Sequence, residues 1–174
     1  PGMYTLSLPA ALPSWLSFSD EDERKGRELL DRIGIGPNDW FVVLHVRDPA
    51  HTRKFSPNLT EDEVNDPLGR QFIRFGNILD YLRAAEHVTQ QGGFVLRTAD
   101  VVETPLPETG NPKIVDYSVK HRSDFGEIYL AGKARFYLGG PSGLPQASMV
   151  FGVPVAFASM VPLTPHCVGP RRPY

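Results

Sequence analysis

The sequence predicts an α/β fold: a Rossmann-like, mainly parallel sheet with helices on both faces. Five short apolar runs have the length of strands, at residues 41–46, 94–97, 113–116, 135–138 and 153–157. Segments with helical character separate them, and this alternation favours a parallel sheet. The first run is continuously apolar, as is typical of a strand buried on both faces.

Four segments between these runs are predicted helices, at Asp20–Arg32, about 77–91, Asp124–Gly132 and about 144–151. The first has the clearest signals, because Ser19 can cap it, four acids follow, and Gly34 ends it. The polar, proline-containing stretches 48–70 and 101–112 are predicted loops.

The chain of 174 residues has room for one domain, which we expect at residues 19–165. Residues 1–18 are then an extended lead-in and residues 166–174 a tail. The abrupt start at Pro1 and the proline- and arginine-rich end lead us to expect a piece of a longer protein.

Composition argues against several classes of protein. The net charge is −2 and the basic residues are spread along the chain, so we expect no nucleic-acid partner. No apolar run approaches the ~20 residues of a transmembrane segment. The lone Cys167 favours a reducing, cytoplasmic location. The sequence contains no cluster of cysteines and histidines with the spacing of a zinc site, so we expect no metal.

A glycine-rich turn follows the fourth predicted strand, and it is the best candidate for a binding site. In Gly139-Gly140-Pro141-Ser142-Gly143, backbone N–H groups at the start of a helix could hold a phosphate, with the Ser142 hydroxyl assisting. The alternative is a tight turn in which Ser142 merely caps the helix.

Arginines near the ends of predicted strands are the second candidate. Arg47 follows the first strand and could contact a phosphate through two nitrogens, or form a surface pair with Asp48. His45 shares its face and could equally be a core histidine. Arg97 ends the second strand, and Arg74 precedes a helix; each could also be solvent-exposed.

Acidic and hydroxyl side chains follow the third strand and open the next helix. Asp116-Tyr117 follows the strand, and Asp116 could contact a base edge or simply start a turn. Ser123 or Asp124 could bind ribose or sugar hydroxyls, whereas Asp124-x-x-Glu127 also fits an acidic variant of the capping box.

Taken in order, these motifs resemble a family of glycosyltransferases. His45-Val46-Arg47 resembles the first motif of the O-fucosyltransferase-like enzymes, and their later donor motif is similar to 123–130, 135–139 and 142–144 here. The combination is most similar to a bacterial glycosyltransferase family whose pattern also includes Arg74 before Tyr81, Arg97 at a strand end, and Asp116-Tyr117.

The resemblance implies the donor-binding, C-terminal half of a GT-B fold, in which two Rossmann-like halves form the enzyme. It implies a nucleotide sugar as substrate, no metal or other cofactor, and an acceptor site supplied by an N-terminal half or another chain. Arg47 would be catalytic, and the remaining donor-binding positions would be His45, Arg74, Arg97, Asp116, Tyr117, Ser123, Asp124, Gly140, Pro141, Ser142 and Gly143.

Departures from the family pattern leave the donor open. Asp48 stands where fucosyltransferases carry a second arginine, Phe75 where the bacterial family has Asn, and Glu127 where Asp is usual. Two other interpretations remain: a UDP-sugar 2-epimerase-like enzyme, suggested by Ser142-Gly143-Leu144-x-Gln146, and a non-catalytic nucleotide-binding domain. The epimerases carry acids where Ala147 and Ser148 stand here.

Overall fold

The structure is a computed structural model that describes residues 14–65 and 75–158. Its strands are β1 (Phe41–His45), β2 (Phe94–Thr98), β3 (Ile114–Asp116), β4 (Phe136–Gly139) and β5 (Val155–Phe157). Its α-helices are α1 (Asp20–Ile33), α2 (Pro49–Phe55), α3 (Glu61–Val64), α4 (Leu82–Gln90), α5 (Tyr117–Lys120), α6 (Asp124–Lys133) and α7 (Leu144–Val150), and a 3₁₀ helix spans Ile78–Tyr81.

The five strands form one sheet in the order β3-β2-β1-β4-β5, and every neighbouring pair is parallel. The predicted Rossmann-like α/β fold is therefore confirmed, with strand ends shifted by no more than two residues. The chain moves outward from β1 to β3 and then returns to β4 on the other side of β1. Ligands of such sheets bind where this reversal occurs, beyond the carboxyl ends of β1 and β4.

Two hydrophobic cores cover the two faces of the sheet. Phe41 and Val43 of β1 pack against α1 and α6, whereas Val42 and Leu44 pack on the side of α4. This alternation follows from the two-residue period of a strand. Both faces of β1 are therefore buried, which explains its continuously apolar sequence.

The prediction of a long loop at 48–70 is wrong for most of residues 48–65, the part that the structure describes. This part contains the helices α2 and α3. Asp48 caps α2 and Pro49 occupies its first turn, where a missing N–H costs nothing. Thr60 and Glu63 form a capping box at α3. The prolines of this segment are typical of loops, whereas the caps at Asp48 and Thr60 mark the starts of helices.

Two smaller corrections concern the other helices. The helix expected at about 77–91 begins as the 3₁₀ helix and continues as α4, and the short α5, which was not predicted, directly follows β3. The lead-in, the tail and the end of the 48–70 segment lie largely outside the described residues.

Candidate functional site

A cleft of about 290 Å³ opens at the carboxyl ends of β1, β2 and β4, at the reversal point of the sheet. It combines charged groups with an apolar wall. Its lining residues are His45, Val46, Arg47, Asp48, His51, Ala99, Asp100, Val101, Glu127, Ile128, Ser142, Gly143, Leu144 and Ala147. Of the predicted site residues, four share this cleft: His45, Arg47, Ser142 and Gly143.

Arg47 lies two residues beyond the end of β1 and remains partly exposed. Its backbone is fixed, since its carbonyl oxygen accepts a hydrogen bond from the N–H of Gly76 at 3.1 Å. One guanidinium nitrogen lies 3.5 Å from the Thr52 hydroxyl on α2. The expected alternative pairing with Asp48 is not what the structure describes, because Asp48 is buried and makes other contacts.

His45 is held as a neutral ring at the last position of β1. Its Nδ1 lies 2.8 Å from the carbonyl oxygen of Thr98, which can only accept, so Nδ1 carries the proton and donates. Burial lowers the pKa of His45 to about 4, and the charge of Arg97 adds to the effect. At neutral pH the Nε2 atom therefore has a free lone pair and can accept a hydrogen bond.

The glycine-rich turn is fixed by close contact with β1. A Cβ on Gly139 would lie 1.9 Å from the carbonyl oxygen of His45, so only glycine fits there. The N–H of Gly140 donates to that same oxygen at 3.3 Å. The Ser142 hydroxyl accepts a hydrogen bond from the N–H of Leu144 at 3.3 Å, but it does not cap α7, whose N-cap position is Gly143. Gly140 is buried, and neither it nor Pro141 lines the cleft.

Three acids line the cleft, and two of them are already engaged. Asp48 accepts hydrogen bonds from the N–H groups of Ala50 at 2.9 Å and Glu103 at 2.8 Å. Asp100 forms ion pairs with Lys54 and Arg122.

Glu127 is the third acid of the cleft, and it is not among the predicted site residues. Its Oε1 atom is buried, has no hydrogen-bond partner among the described residues, and lies 3.6 Å from Nε of Arg122. Burial raises the pKa of Glu127; Arg122 opposes this, while Asp100 and Asp124 reinforce it. The sequence carried two signals for this position: the spacing Asp124-x-x-Glu127, and its place in the donor motif that the sequence resembles, where Asp is usual. The spacing does not mark a cap, because Ser123 caps α6 through the N–H of Gly126 at 3.1 Å.

Arg97 and Asp116 form a buried pair outside the cleft. Nη1 of Arg97, whose side chain is 1% exposed, lies 3.3 Å from both carboxylate oxygens of Asp116. Nη2 donates to the carbonyl oxygen of Thr104 at 3.3 Å and lies 4.0 Å from Asp48. The register of the strands explains why Arg97 lies outside the cleft. In the sheet Arg97 is aligned with Leu44 on one side and with Asp116 on the other, so its side chain lies on the face opposite that of His45. Arg97 instead lines a second cavity of about 300 Å³, which shares Val46 and Asp48 with the cleft.

The remaining predicted residues do not line the cleft either. Tyr117 is fully buried, and its hydroxyl accepts from the N–H of Ser123 at 3.1 Å. Asp124 is 91% exposed and pairs with Arg122 at 3.0 Å. Arg74 lies outside the described residues.

Among residues 14–65 and 75–158, no group of three or more histidine, cysteine or acidic side chains is arranged to hold a metal ion. No helix in these ranges is long and apolar enough to cross a membrane. The chain matches no protein-family model, no curated protein and no solved structure. Its functional interpretation therefore depends on the geometry of the cleft.

Proposed function

We propose that this chain is the donor-binding domain of a metal-independent glycosyltransferase of the GT-B type, and that the cleft holds the diphosphate of a nucleotide sugar. The observation that carries the proposal is the meeting of Arg47 with Ser142 and Gly143 in one cleft at the reversal point of a parallel sheet. Such crevices are the usual nucleotide sites of this fold class.

The cleft has the groups that a diphosphate needs. Arg47 supplies a guanidinium that can contact two phosphate oxygens at once. The turn at Ser142 and Gly143 adds a hydroxyl and backbone N–H groups. Neutral His45 can only accept a hydrogen bond through Nε2, so it is suited to a ligand hydroxyl or to a protonated phosphate rather than to a phosphate dianion.

The same arrangement suits sugar transfer. When the glycosidic bond breaks, negative charge grows on the departing nucleoside diphosphate. A fixed cation at Arg47 stabilises that charge more in the transition state than in the ground state, which is the requirement for catalysis. The apolar wall of Ile128, Leu144 and Ala147 excludes water on one side and strengthens this interaction.

The proposal extends to partners and location. The acceptor site comes from a second α/β half or from another chain, and a cytoplasmic location fits the lone Cys167. A second candidate is a nucleotide-binding domain without transfer activity. The same cleft supports it, because binding of a nucleotide needs only the groups that hold the diphosphate.

A thermal-shift panel tests binding. The chain is heated in EDTA with UDP, GDP, ADP or CDP and with the corresponding nucleotide sugars. Ligand at 100 times its Kd stabilises by about 2.7 kcal/mol, which raises Tm by roughly 5–10 °C in a chain of this size. The Arg47→Ala variant should lose the shift, and the control Arg83→Ala, an exposed arginine on α4, should keep it. A strict requirement for Mg²⁺ or Mn²⁺, or no shift with any nucleotide, contradicts the proposal.

Turnover separates the two candidates. Release of nucleoside diphosphate from a nucleotide sugar, in the presence of an acceptor extract and the partner half, identifies a transferase. Binding of donor without any release under these conditions favours the non-catalytic domain.

A further inference from the structure

We infer that the second cavity, the one lined by Arg97, binds a small uncharged molecule that carries an amide group on an apolar body. The side chain of Arg97 lies on the face of the sheet opposite His45, so this binding does not depend on the proposed function. Three features lead to this ligand: a buried guanidinium with one donor left over, a neighbouring carboxylate that can accept, and an apolar lining.

Arg97 supplies the cavity with a hydrogen-bond donor. Its side chain lines the cavity and is 1% exposed. Nη1 lies 3.3 Å from Asp116 and Nη2 donates to the carbonyl oxygen of Thr104 at 3.3 Å. Nε is buried and has no hydrogen-bond partner in the part of the chain that the structure describes. A buried donor without an acceptor is costly, so an occupant that brings an acceptor oxygen is favoured.

The charges around Arg97 argue against an anion as this occupant. Asp116 contacts Nη1, and Asp48 lies 4.0 Å from Nη2, so two carboxylates face one guanidinium. The excess negative charge repels a phosphate or carboxylate group. A cation is disfavoured as well, because it has no lone pair to offer to the N–H of Nε. An uncharged acceptor such as a carbonyl oxygen therefore fits best.

Asp48 indicates which carbonyl compound matches the cavity. Its carboxylate lines the cavity, and its two oxygens accept from the backbone N–H groups of Ala50 and Glu103. An ionised carboxylate has room for further donors. The cavity therefore offers a donor on Arg97 beside an acceptor on Asp48. An amide group carries the complementary pair, a C=O that accepts and an N–H that donates.

The rest of the lining suits an apolar body. Val46, Ile78 and Leu79 contribute apolar surface. The last two belong to the 3₁₀ helix, which is fixed at its start because the Asn77 side chain accepts from the N–H of Leu79 at 3.0 Å. A volume of about 300 Å³ is at the lower end for small-molecule pockets, so a single substituted ring is the expected size.

Three probes of the same shape and different charge test this site: benzamide, benzoate and benzamidine. Each is titrated into the ¹⁵N-labelled chain, and two-dimensional ¹H–¹⁵N spectra follow the Nε–H signal of Arg97 and the backbone N–H signals of Gly76 and Leu79. The variant Leu79→Trp places a larger side chain in the lining. Its matched control is Leu59→Trp, which replaces another exposed leucine that lines neither cavity.

Benzamide should shift all three signals with a Kd on the order of 1–10 mM, as expected for so small a ligand. Benzoate and benzamidine should bind at least roughly 10-fold more weakly, because each lacks half of the donor and acceptor pair. Leu79→Trp should weaken benzamide binding by a similar factor, and Leu59→Trp should leave it unchanged.

No shift of the Arg97 Nε–H signal with benzamide overturns the inference. An affinity for benzoate equal to or higher than that for benzamide overturns it too, and so does unchanged benzamide binding in Leu79→Trp. None of these results bears on nucleotide binding, which the thermal-shift panel tests by itself.

Discussion

Replacing Arg97 by methionine should strongly destabilise the fold without removing a cleft residue. The guanidinium is 1% exposed and lies 3.3 Å from Asp116 and 4.0 Å from Asp48. Methionine keeps the apolar length of the side chain but leaves two buried carboxylates without their cation. The hydrogen bond to the carbonyl oxygen of Thr104 is lost as well.

The magnitude follows from these contacts. Two unit charges 4 Å apart attract by about 4 kcal/mol at an effective dielectric constant near 20. Removal of one partner of a buried ion pair typically costs about 3–5 kcal/mol, because the other charge stays buried and uncompensated. We therefore expect Arg97→Met to lower the free energy of unfolding by about 3–5 kcal/mol, a large share of the roughly 5–15 kcal/mol of a typical domain.

Urea unfolding followed by circular dichroism measures this loss, with Arg83→Met on the surface of α4 as the control. A double-mutant cycle with Asp116→Asn separates the pair energy from other effects, and the two replacements together should cost less than their sum. A folded Arg97→Met variant within about 1 kcal/mol of the unaltered chain would refute the reasoning. The buried pair would then contribute little to the stability of the fold.

Three further predictions concern the site. The pKa of His45 is about 4 in the folded chain and 6.5 in the unfolded chain. Between pH 4 and pH 6.5 the unfolded chain therefore binds more protons than the folded chain. The stability contributed by His45 should thus be greatest above pH 6.5 and fall towards pH 4. Between pH 7 and pH 4.5 the free energy of unfolding, measured in urea, should fall by about 2–3 kcal/mol more in the unaltered chain than in His45→Asn. Equal losses in the two chains contradict this prediction. Gly139→Ala should lower the free energy of unfolding by about 1–3 kcal/mol, because its Cβ meets the His45 carbonyl oxygen. Gly143→Ala has open space around its Cβ and should stay within about 0.5 kcal/mol of the unaltered chain. A larger loss for Gly143→Ala than for Gly139→Ala would contradict the described turn. For the proposed transferase, assayed with its partner half, Arg47→Ala should lower turnover on the order of 100-fold, and Arg47→Lys should restore only part of it. Near-normal turnover in a folded Arg47→Ala variant would contradict the proposed catalytic role.

The fold could be predicted from sequence where local signals and burial agree. β1 falls within the predicted 41–46 because a run of apolar residues can be buried on both faces only in the centre of such a sheet. The predicted start of α1 is correct and its end is one residue off, because Ser19 and Gly34 mark both ends chemically. α2 and α3 were missed because prolines there were weighed as loop residues, although Pro49 stands at a helical position that tolerates proline.

The site could be predicted only in part, since sequence gives strand order and strand register poorly. His45, Arg47, Ser142 and Gly143 meet because parallel strands bring their carboxyl ends to one edge. Arg97 was predicted to end its strand, but it is the last residue but one of β2, and its alignment with Leu44 turns its side chain to the opposite face. A shift of one residue in strand register moves every side chain of the strand to the other face of the sheet, and no local sequence pattern around Arg97 determines the register.

Glu127 was overlooked for a related reason. Its spacing from Asp124 fits a helix cap, which is a sufficient local explanation. Only the packing of α6 beside the carboxyl ends of β1 and β4 brings its carboxyl group into the cleft. Long-range packing of this kind is not encoded in a short motif.

A crystal structure of the chain with a bound nucleoside diphosphate tests the central claim most directly. UDP and GDP are tried first, in EDTA. The account predicts diphosphate oxygens within about 2.7–3.2 Å of the Arg47 guanidinium and of the Ser142 hydroxyl or the N–H groups at Ser142 and Gly143. A diphosphate bound elsewhere, for example in the second cavity beside Arg97, or a cleft that stays empty at saturating nucleotide, would contradict it.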